Sequence, residues 1–109
     1  MSLAFRVGEV ELEGKKLHCG VLELENAVVA LFWEGEEPKL GSTTATLPGM
    51  ASSQLLGDRD QLLGRMLGAQ VAAKSGKLSL VSTHLSQGYS EAIGKTLLEL
   101  VRRVMEEKS

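Results

Sequence analysis

The first quarter of the chain alternates apolar and polar residues with the period of two that is typical of half-buried β-strands. The alternation predicts strands over residues 5–12 and 16–24, joined by a hairpin turn around Gly14. Two glycines interrupt these strands, Gly8 and Gly20. At both positions we expect a β-bulge or a close approach of another group to the backbone.

The next strand, predicted over residues 27–33, does not alternate. Three of its side chains should point to one face of a sheet: Val28, Ala30 and Phe32. Three should point to the other: Val29, Leu31 and Trp33. Because both sets are apolar, both faces of this strand need cover. Further strands are predicted over residues 42–47 and 78–85.

The hydrophobic period changes to that of a helix after Gly57. Asp58 is a suitable N-cap residue, and Gln61 three positions later completes a capping box, so we predict a turn and helix cap at Gly57 and Asp58. The helical period continues to Lys74, and Gly76 is placed to end the helix in the left-handed conformation.

This helix contains two internal glycines, Gly64 and Gly68. Each costs about 1 kcal/mol of helix stability relative to alanine, so we expect a compensating close approach of the helix to a sheet. A second helix, capped by Ser90, is predicted from an apolar stripe: Ile93, Leu97, Leu100, Val101 and Val104.

These elements predict a single α+β domain over residues 1–109. The predicted fold is an antiparallel sheet of about five to six strands with two helices packed on it, in the order β-β-β-β-α-β-α. No internal repeat of 20 to 50 residues is present, which excludes solenoid folds.

Composition narrows the classes of function. The net charge of −2 argues against a nucleic-acid-binding protein, which needs a concentrated basic surface. The longest strongly apolar run, residues 27–33, is too short to cross a bilayer. The single cysteine, Cys19, cannot form an internal disulfide, so we expect a reducing, cytoplasmic location.

No group of residues has the pattern of a catalytic, cofactor-binding or metal site. His18 and Cys19 are adjacent, but neighbours on a strand point to opposite faces, and a buried cysteine beside an exposed histidine is the expected arrangement. His84 has no second ligand at metal-binding spacing and is expected to be satisfied within the fold or solvated. We therefore expect neither an enzyme nor a cofactor.

From Val28 to the C-terminus the chain resembles the proteasome assembly chaperone 3/4-like family. The resemblance rests on the strand that ends at Trp33, on Ser53-Gln54-Leu55-Leu56-Gly57-Asp58 and on the following Leu63-Gly64-Arg65-Met66-Leu67. It implies a non-enzymatic domain that forms a dimer with itself or a paralogue and assists assembly of proteasome α-subunits. The chain ends in Glu106-Glu107-Lys108-Ser109, which lacks the hydrophobic-tyrosine tail of some other assembly factors.

The doubly apolar strand agrees with dimerisation, because two helices cover only one face of a small sheet. Val29, Leu31 and Trp33 are the candidate dimer or partner interface, although the other set of side chains would serve equally on this reasoning. Alternatively, the N-terminal hairpin folds back as a second sheet and buries that face. A small-ligand sensor with a pocket between sheet and helices, and a scaffold subunit of another complex, are the alternative functions.

Overall fold

A computed structural model describes residues 3–57, 61–86 and 88–106 of the chain. The elements follow one another as β1 (Arg6–Leu12), β2 (Lys15–Glu23), β3 (Ala27–Glu34), β4 (Ser42–Thr46), β5 (Ser52–Leu56), α1 (Gln61–Ser75), β6 (Leu78–His84) and α2 (Glu91–Glu106). The α+β class is confirmed, and the predicted strands and helices occur within one or two residues of their expected bounds.

The strands form one six-stranded sheet in the order β1-β2-β3-β6-β4-β5. β1 and β2 continue the sheet beside β3, so the N-terminal hairpin does not fold back as a second layer. β3 and β6 pair in parallel, whereas the other neighbours are antiparallel. The sheet is therefore mixed rather than wholly antiparallel. The connection from β3 to β6 contains a hairpin and α1, and such a long crossover can return the chain in the same direction.

The β1–β2 hairpin closes with a two-residue turn in which Glu13 and Gly14 have φ values of 52° and 78°. Positive φ at both positions is the geometry of a type I′ turn, which matches the twist of antiparallel strands. The register between the two strands has no shift, and Gly8 pairs directly with Cys19. Gly8 and Gly20 are therefore not bulges but places where side chains approach the backbone.

The sequence pattern did not predict β5 as a strand. Its residues are two serines, a glutamine and two leucines, which do not alternate between core and solvent. It pairs only with β4, and the register shifts between Thr43 and Thr44. Residues 52–56 form a strand because they pair with the backbone of β4. The sequence of the segment itself does not show that β4 lies beside it.

Both helices pack on the same face of the sheet, α1 over β4 and β6 and α2 over β1 and β2. α1 lies close to β4 at its two internal glycines. A Cβ atom added to Gly64 would lie 2.5 Å from Thr44 Oγ1, and one added to Gly68 would lie 2.5 Å from Thr46 Oγ1. The hydroxyl of Ser79 also donates to the carbonyl oxygen of Gly68 at 3.0 Å. The predicted close approach is confirmed.

The helix ends agree with the sequence prediction where they are described. Gly57 has a φ of 73°, and Asp58 lies outside the described residues. Gly76 ends α1 with a φ of 71°, and its N–H donates to Ala72 O at 2.8 Å. Ser90 Oγ accepts the Ile93 N–H at 3.2 Å and so caps α2.

The core lies between the helices and the sheet. It contains the apolar stripe of α2, the inward side chains of α1 and those of β2, β3 and β6. Phe32 is its largest side chain and is fully buried. Neither described helix is long and apolar enough to cross a membrane.

Candidate protein-binding face

The sheet face opposite the helices, called the open face below, is covered by no other described element. Direct pairing across the strands identifies its members, since paired residues point to the same side. Its apolar side chains are Val7, Leu22, Val29, Leu31, Trp33, Ala45, Leu80 and, just before β1, Phe5. The N-terminal hairpin contributes to this surface instead of covering it.

The structure decides which side of β3 belongs to the open face. Val28, Ala30 and Phe32 are fully buried in the core beneath the helices. Alternation therefore places Val29, Leu31 and Trp33 on the open face. Val29 and Leu31 are half-buried and Trp33 is 5% exposed. Whether these three contact a partner chain remains a prediction.

Neighbouring side chains hold the Trp33 indole against the sheet. Its ring stacks on His18, its direct partner on β2, with ring centroids 5.2 Å apart and an angle of 7° between the planes. A Cβ atom at Gly20 would lie 3.3 Å from Trp33 Cζ3 and 3.3 Å from Phe5 Cδ2. Gly20 therefore makes room for two aromatic rings. Stacking and the missing side chain together account for the low exposure of Trp33 on an uncovered face.

Two apolar rows cross the open face. One runs from Leu22 through Val29 and Leu80 to Ala45, each residue paired with the next. The other runs from Val7 through Gly20 to Leu31. Val7 and Phe5 at the β1 end are 54% and 44% exposed. Apolar side chains thus extend continuously from β1 to β4, which is typical of a surface that contacts another protein.

His18 and Cys19 lie on opposite faces of the sheet, as predicted, and cannot act together. Cys19 is fully buried in the core, and this burial raises the pKa of its thiol to about 12. A thiol with this pKa is not a nucleophile near neutral pH. His18 is not exposed, contrary to expectation, because the Trp33 ring covers it and leaves 8% accessible.

The two histidines of the chain flank the indole. His18 and His84 are the direct cross-strand partners of Trp33 on either side. No group of three or more potential metal ligands occurs within the described ranges.

One cavity, of about 450 Å³, lies between the outer side of β1 and α2. Most of its lining is charged, with Glu11, Glu99, Arg102, Arg103 and Glu106 among the residues. Arg103 Nη2 donates to the carbonyl oxygen of Glu9 at 3.0 Å. This cavity is at the edge of the sheet, and the space between the sheet and helices is filled by buried side chains, including Phe32, Leu63, Leu67 and Leu97.

Sequence reasoning predicted a bulge or a close approach at Gly20 but did not identify Trp33 as the group that lies there, and it missed the role of His18. Gly20 and His18 contact Trp33 only because β2 and β3 pair in a particular register. Phe5 and Leu80 are also part of the open face, and their roles depend on the strand order. The glycine within the strand indicated that another group lies close to the backbone, and the strand pairing shows that this group is the Trp33 ring.

Comparisons with known proteins identify the fold. No family model matches the chain, and no curated protein is significantly similar to it in sequence. Among solved structures, the crystal structure of a novel chaperone complex for yeast 20S proteasome assembly contains a chain that matches with a TM-score of 0.69. The match covers 96% of this chain and 99% of that one, with 13% identical residues. The resemblance stated from the sequence is thus confirmed at the level of the fold.

Proposed function

We propose that this protein is a non-catalytic protein-binding module that works as an assembly chaperone in a dimer. The observation that carries the proposal is the open face, which presents an apolar surface on an otherwise complete two-layer domain. A sheet with helices on one side leaves its other side without cover, and a second chain stacked on that side supplies the missing layer. Val29, Leu31 and Trp33 are the proposed centre of that interface.

The arrangement of the open face supports a partner that is also a flat, apolar sheet. The Trp33 ring packs against Gly20, and Leu22, Val29 and Leu31 beside it are half-buried. Such a surface lacks a deep groove for a helix, whereas two sheets pack face to face about 10 Å apart with interdigitating side chains. A second copy, or a paralogue with the same fold, provides this partner.

The client of the dimer is proposed to be proteasome α-subunits. This part of the proposal rests on the likeness of the fold to a chain of the yeast chaperone complex for 20S proteasome assembly. Among the described residues, His18 Nδ1 is buried without a hydrogen-bond partner, and burial raises the pKa of the Cys19 thiol to about 12, so neither group is prepared for catalysis.

The dimer is tested by measuring molar mass with light scattering at about 10 µM protein, a concentration at which an interface with micromolar affinity is populated. The wild type is expected to be a dimer and Leu31→Asp a monomer, because the new carboxylate would be buried without a partner. Leu40→Asp is the matched control. Leu40 is an exposed leucine outside the strands, and its substitution should leave the mass unchanged.

A monomeric wild type would contradict the homodimer, and a paralogue would then be required. Far-UV circular dichroism shows whether Leu31→Asp retains the fold, and Val29→Asp provides a second variant if it does not.

The client is tested by mixing the purified protein with recombinant proteasome α-subunits and measuring co-elution. Failure to co-elute with any α-subunit would remove the proteasome from the proposal without affecting the dimer.

A further inference from the structure

The two edges of the sheet differ in how they are protected. Every open sheet ends in two strands whose outer N–H and C=O groups have no neighbour, and soluble proteins usually block such edges with charges or with another element. β1 and β5 are the outermost strands of this sheet. Only β1 is protected by charged groups.

The outer side of β1 is crowded with charged groups from two elements. Glu9 and Glu11 are exposed on the strand. The Arg103 guanidinium reaches from α2 to the carbonyl oxygen of Glu9 at 3.0 Å, and the Arg6 guanidinium bonds to Met105 O at 3.4 Å. An incoming strand would have to displace these contacts and desolvate the carboxylates.

β5 has no charged group along it, although it is short and its pairing with β4 contains a register shift. Residues 40–57, which include β4, β5 and their connection, contain no Lys, Arg, Asp, Glu or His. Leu55 and Leu56 are exposed on the strand, as is Met50 in the turn before it. The polar group of Gln54 is directed toward its own chain, accepting from Thr44 Oγ1 and donating to Leu56 O and Gly57 O. In the described structure this edge is uncharged and apolar.

We propose that the β5 edge binds an extended, uncharged segment of a client protein as a seventh strand of the sheet. The backbone groups of β5 would supply hydrogen bonds, and the exposed Leu56 would contact an apolar side chain on the added strand. A charged segment is disfavoured because nothing in residues 40–57 could pair with its charge.

The choice of a client rather than a second copy rests on the proposed function. A dimer that stacks two sheets through their open faces uses the second copy there and leaves each β5 edge free. Leu56 belongs to the open face, because it pairs with Thr43, and the next partner in that row, Ser82, pairs with Leu31. The edge is therefore continuous with the open face, and a client strand would lie beside the dimer interface.

The probe is a synthetic peptide, acetyl-Ser-Val-Thr-Val-Thr-Ser-amide, added to the ¹⁵N-labelled full chain. Amide hydrogen exchange is measured by NMR for β5 and β1 in the same sample. The outward amides of residues 52–56 are expected to exchange at least about tenfold more slowly at saturating peptide, as newly formed hydrogen bonds require. The amides of β1 should not change. A peptide with glutamate in place of valine should protect neither edge.

Leu56→Lys is expected to abolish the protection, and Val7→Lys is its matched control. Both side chains are 54% exposed, and both lie on the open face at opposite edges of the sheet. If Val7→Lys abolishes protection and Leu56→Lys does not, the proposal is overturned. Equal protection of the β1 and β5 amides also overturns it. So does the absence of any protection at about 1 mM peptide, a concentration at which even weak strand addition would be detected.

The same measurement on the Leu31→Asp monomer separates this proposal from the proposed dimer. β5 protection in that variant shows that the edge binds peptide without open-face pairing. β5 protection that rises with protein concentration in the absence of peptide shows that a second copy occupies the edge, and this result would overturn the assignment of a client strand.

Discussion

The indole of Trp33 lies directly over the backbone of Gly20, so that a Cβ atom at position 20 would be 3.3 Å from Trp33 Cζ3. This spacing is at the lower limit of van der Waals contact. The same position would be 3.3 Å from Phe5 Cδ2. Because Gly20 has no side chain, both aromatic rings can lie close to the β2 backbone. Gly20 therefore determines the shape of this part of the open face.

Gly20→Val is expected to displace the Trp33 ring and to destabilise the fold by about 1–3 kcal/mol, the usual effect of overpacking. Urea unfolding measures the change in free energy, and the tryptophan emission maximum should shift to longer wavelength as the ring becomes exposed. Glu11→Val, which adds a β-branched residue at an exposed site on β1, is the control. An unchanged emission spectrum in Gly20→Val would contradict the stacking described here.

Gly64→Ala is expected to lower stability by about 1–3 kcal/mol although alanine has the higher helix propensity. The reason is the 2.5 Å distance from the added Cβ to Thr44 Oγ1. Ala69→Gly, at an exposed position of the same helix, should lower stability by about 1 kcal/mol through propensity alone. In a Thr44→Ala background, Gly64→Ala should become less destabilising, and thermal unfolding of the four proteins in this cycle measures that coupling. Additive effects would show that the helix does not approach β4 at this point.

The Cys19 thiol is expected to be unreactive in the folded protein at pH 8. Burial raises its pKa to about 12, so almost none of the reactive thiolate is present. An aromatic disulfide reagent, followed by absorbance, should modify one thiol per chain in denaturant and essentially none without it. Ser53→Cys, at an exposed position of β5, is a positive control that should react at once under native conditions. Rapid modification of Cys19 in the native wild type would contradict its burial.

Glu23 is expected to contribute to stability at neutral pH and to lose that contribution in acid. The hydrogen bond from Lys77 at 2.9 Å, with the Lys77 and Arg6 charges, holds the Glu23 pKa below its ordinary value of 4.5. A depressed pKa in the folded state means that the stabilisation is complete above pH 4.5 and disappears as the pH falls through the folded pKa. The carboxylate is half-exposed, so solvent screening keeps the effect small.

Urea unfolding at several pH values tests this prediction. Glu23→Gln should be less stable than the wild type at pH 7, and the difference should shrink below about pH 4 as the wild-type carboxylate takes up a proton. Glu25→Gln is the control, since Glu25 is exposed in the turn after β2. If the difference in stability between the wild type and Glu23→Gln stays constant down to about pH 2, the destabilisation does not come from loss of the Glu23 charge.

Local chemistry made several elements predictable from the amino-acid sequence. Gly14 and Gly76 occupy positions with positive φ that other residues rarely adopt, so their places at the β1–β2 turn and at the end of α1 follow from residue type alone. The stripe from Ile93 to Val104 repeats with the helical period, and one face of α2 is accordingly buried. The two apolar sides of β3 could likewise be separated by alternation, because successive side chains on a strand point in opposite directions.

Long-range pairing decided what the local sequence could not. β5 forms because β4 lies beside it, and β6 becomes parallel to β3 because α1 carries the chain back across the sheet. Neither fact is encoded within the strand concerned. Strand order also determined that both helices cover the side of Phe32, which left Val29, Leu31 and Trp33 on the open face. The sequence thus specified that β3 has two apolar sides. The tertiary structure determined which of these sides stays uncovered. The reason is that a helix packs against several strands of a sheet at once, so its position depends on the strand order and not on β3 alone.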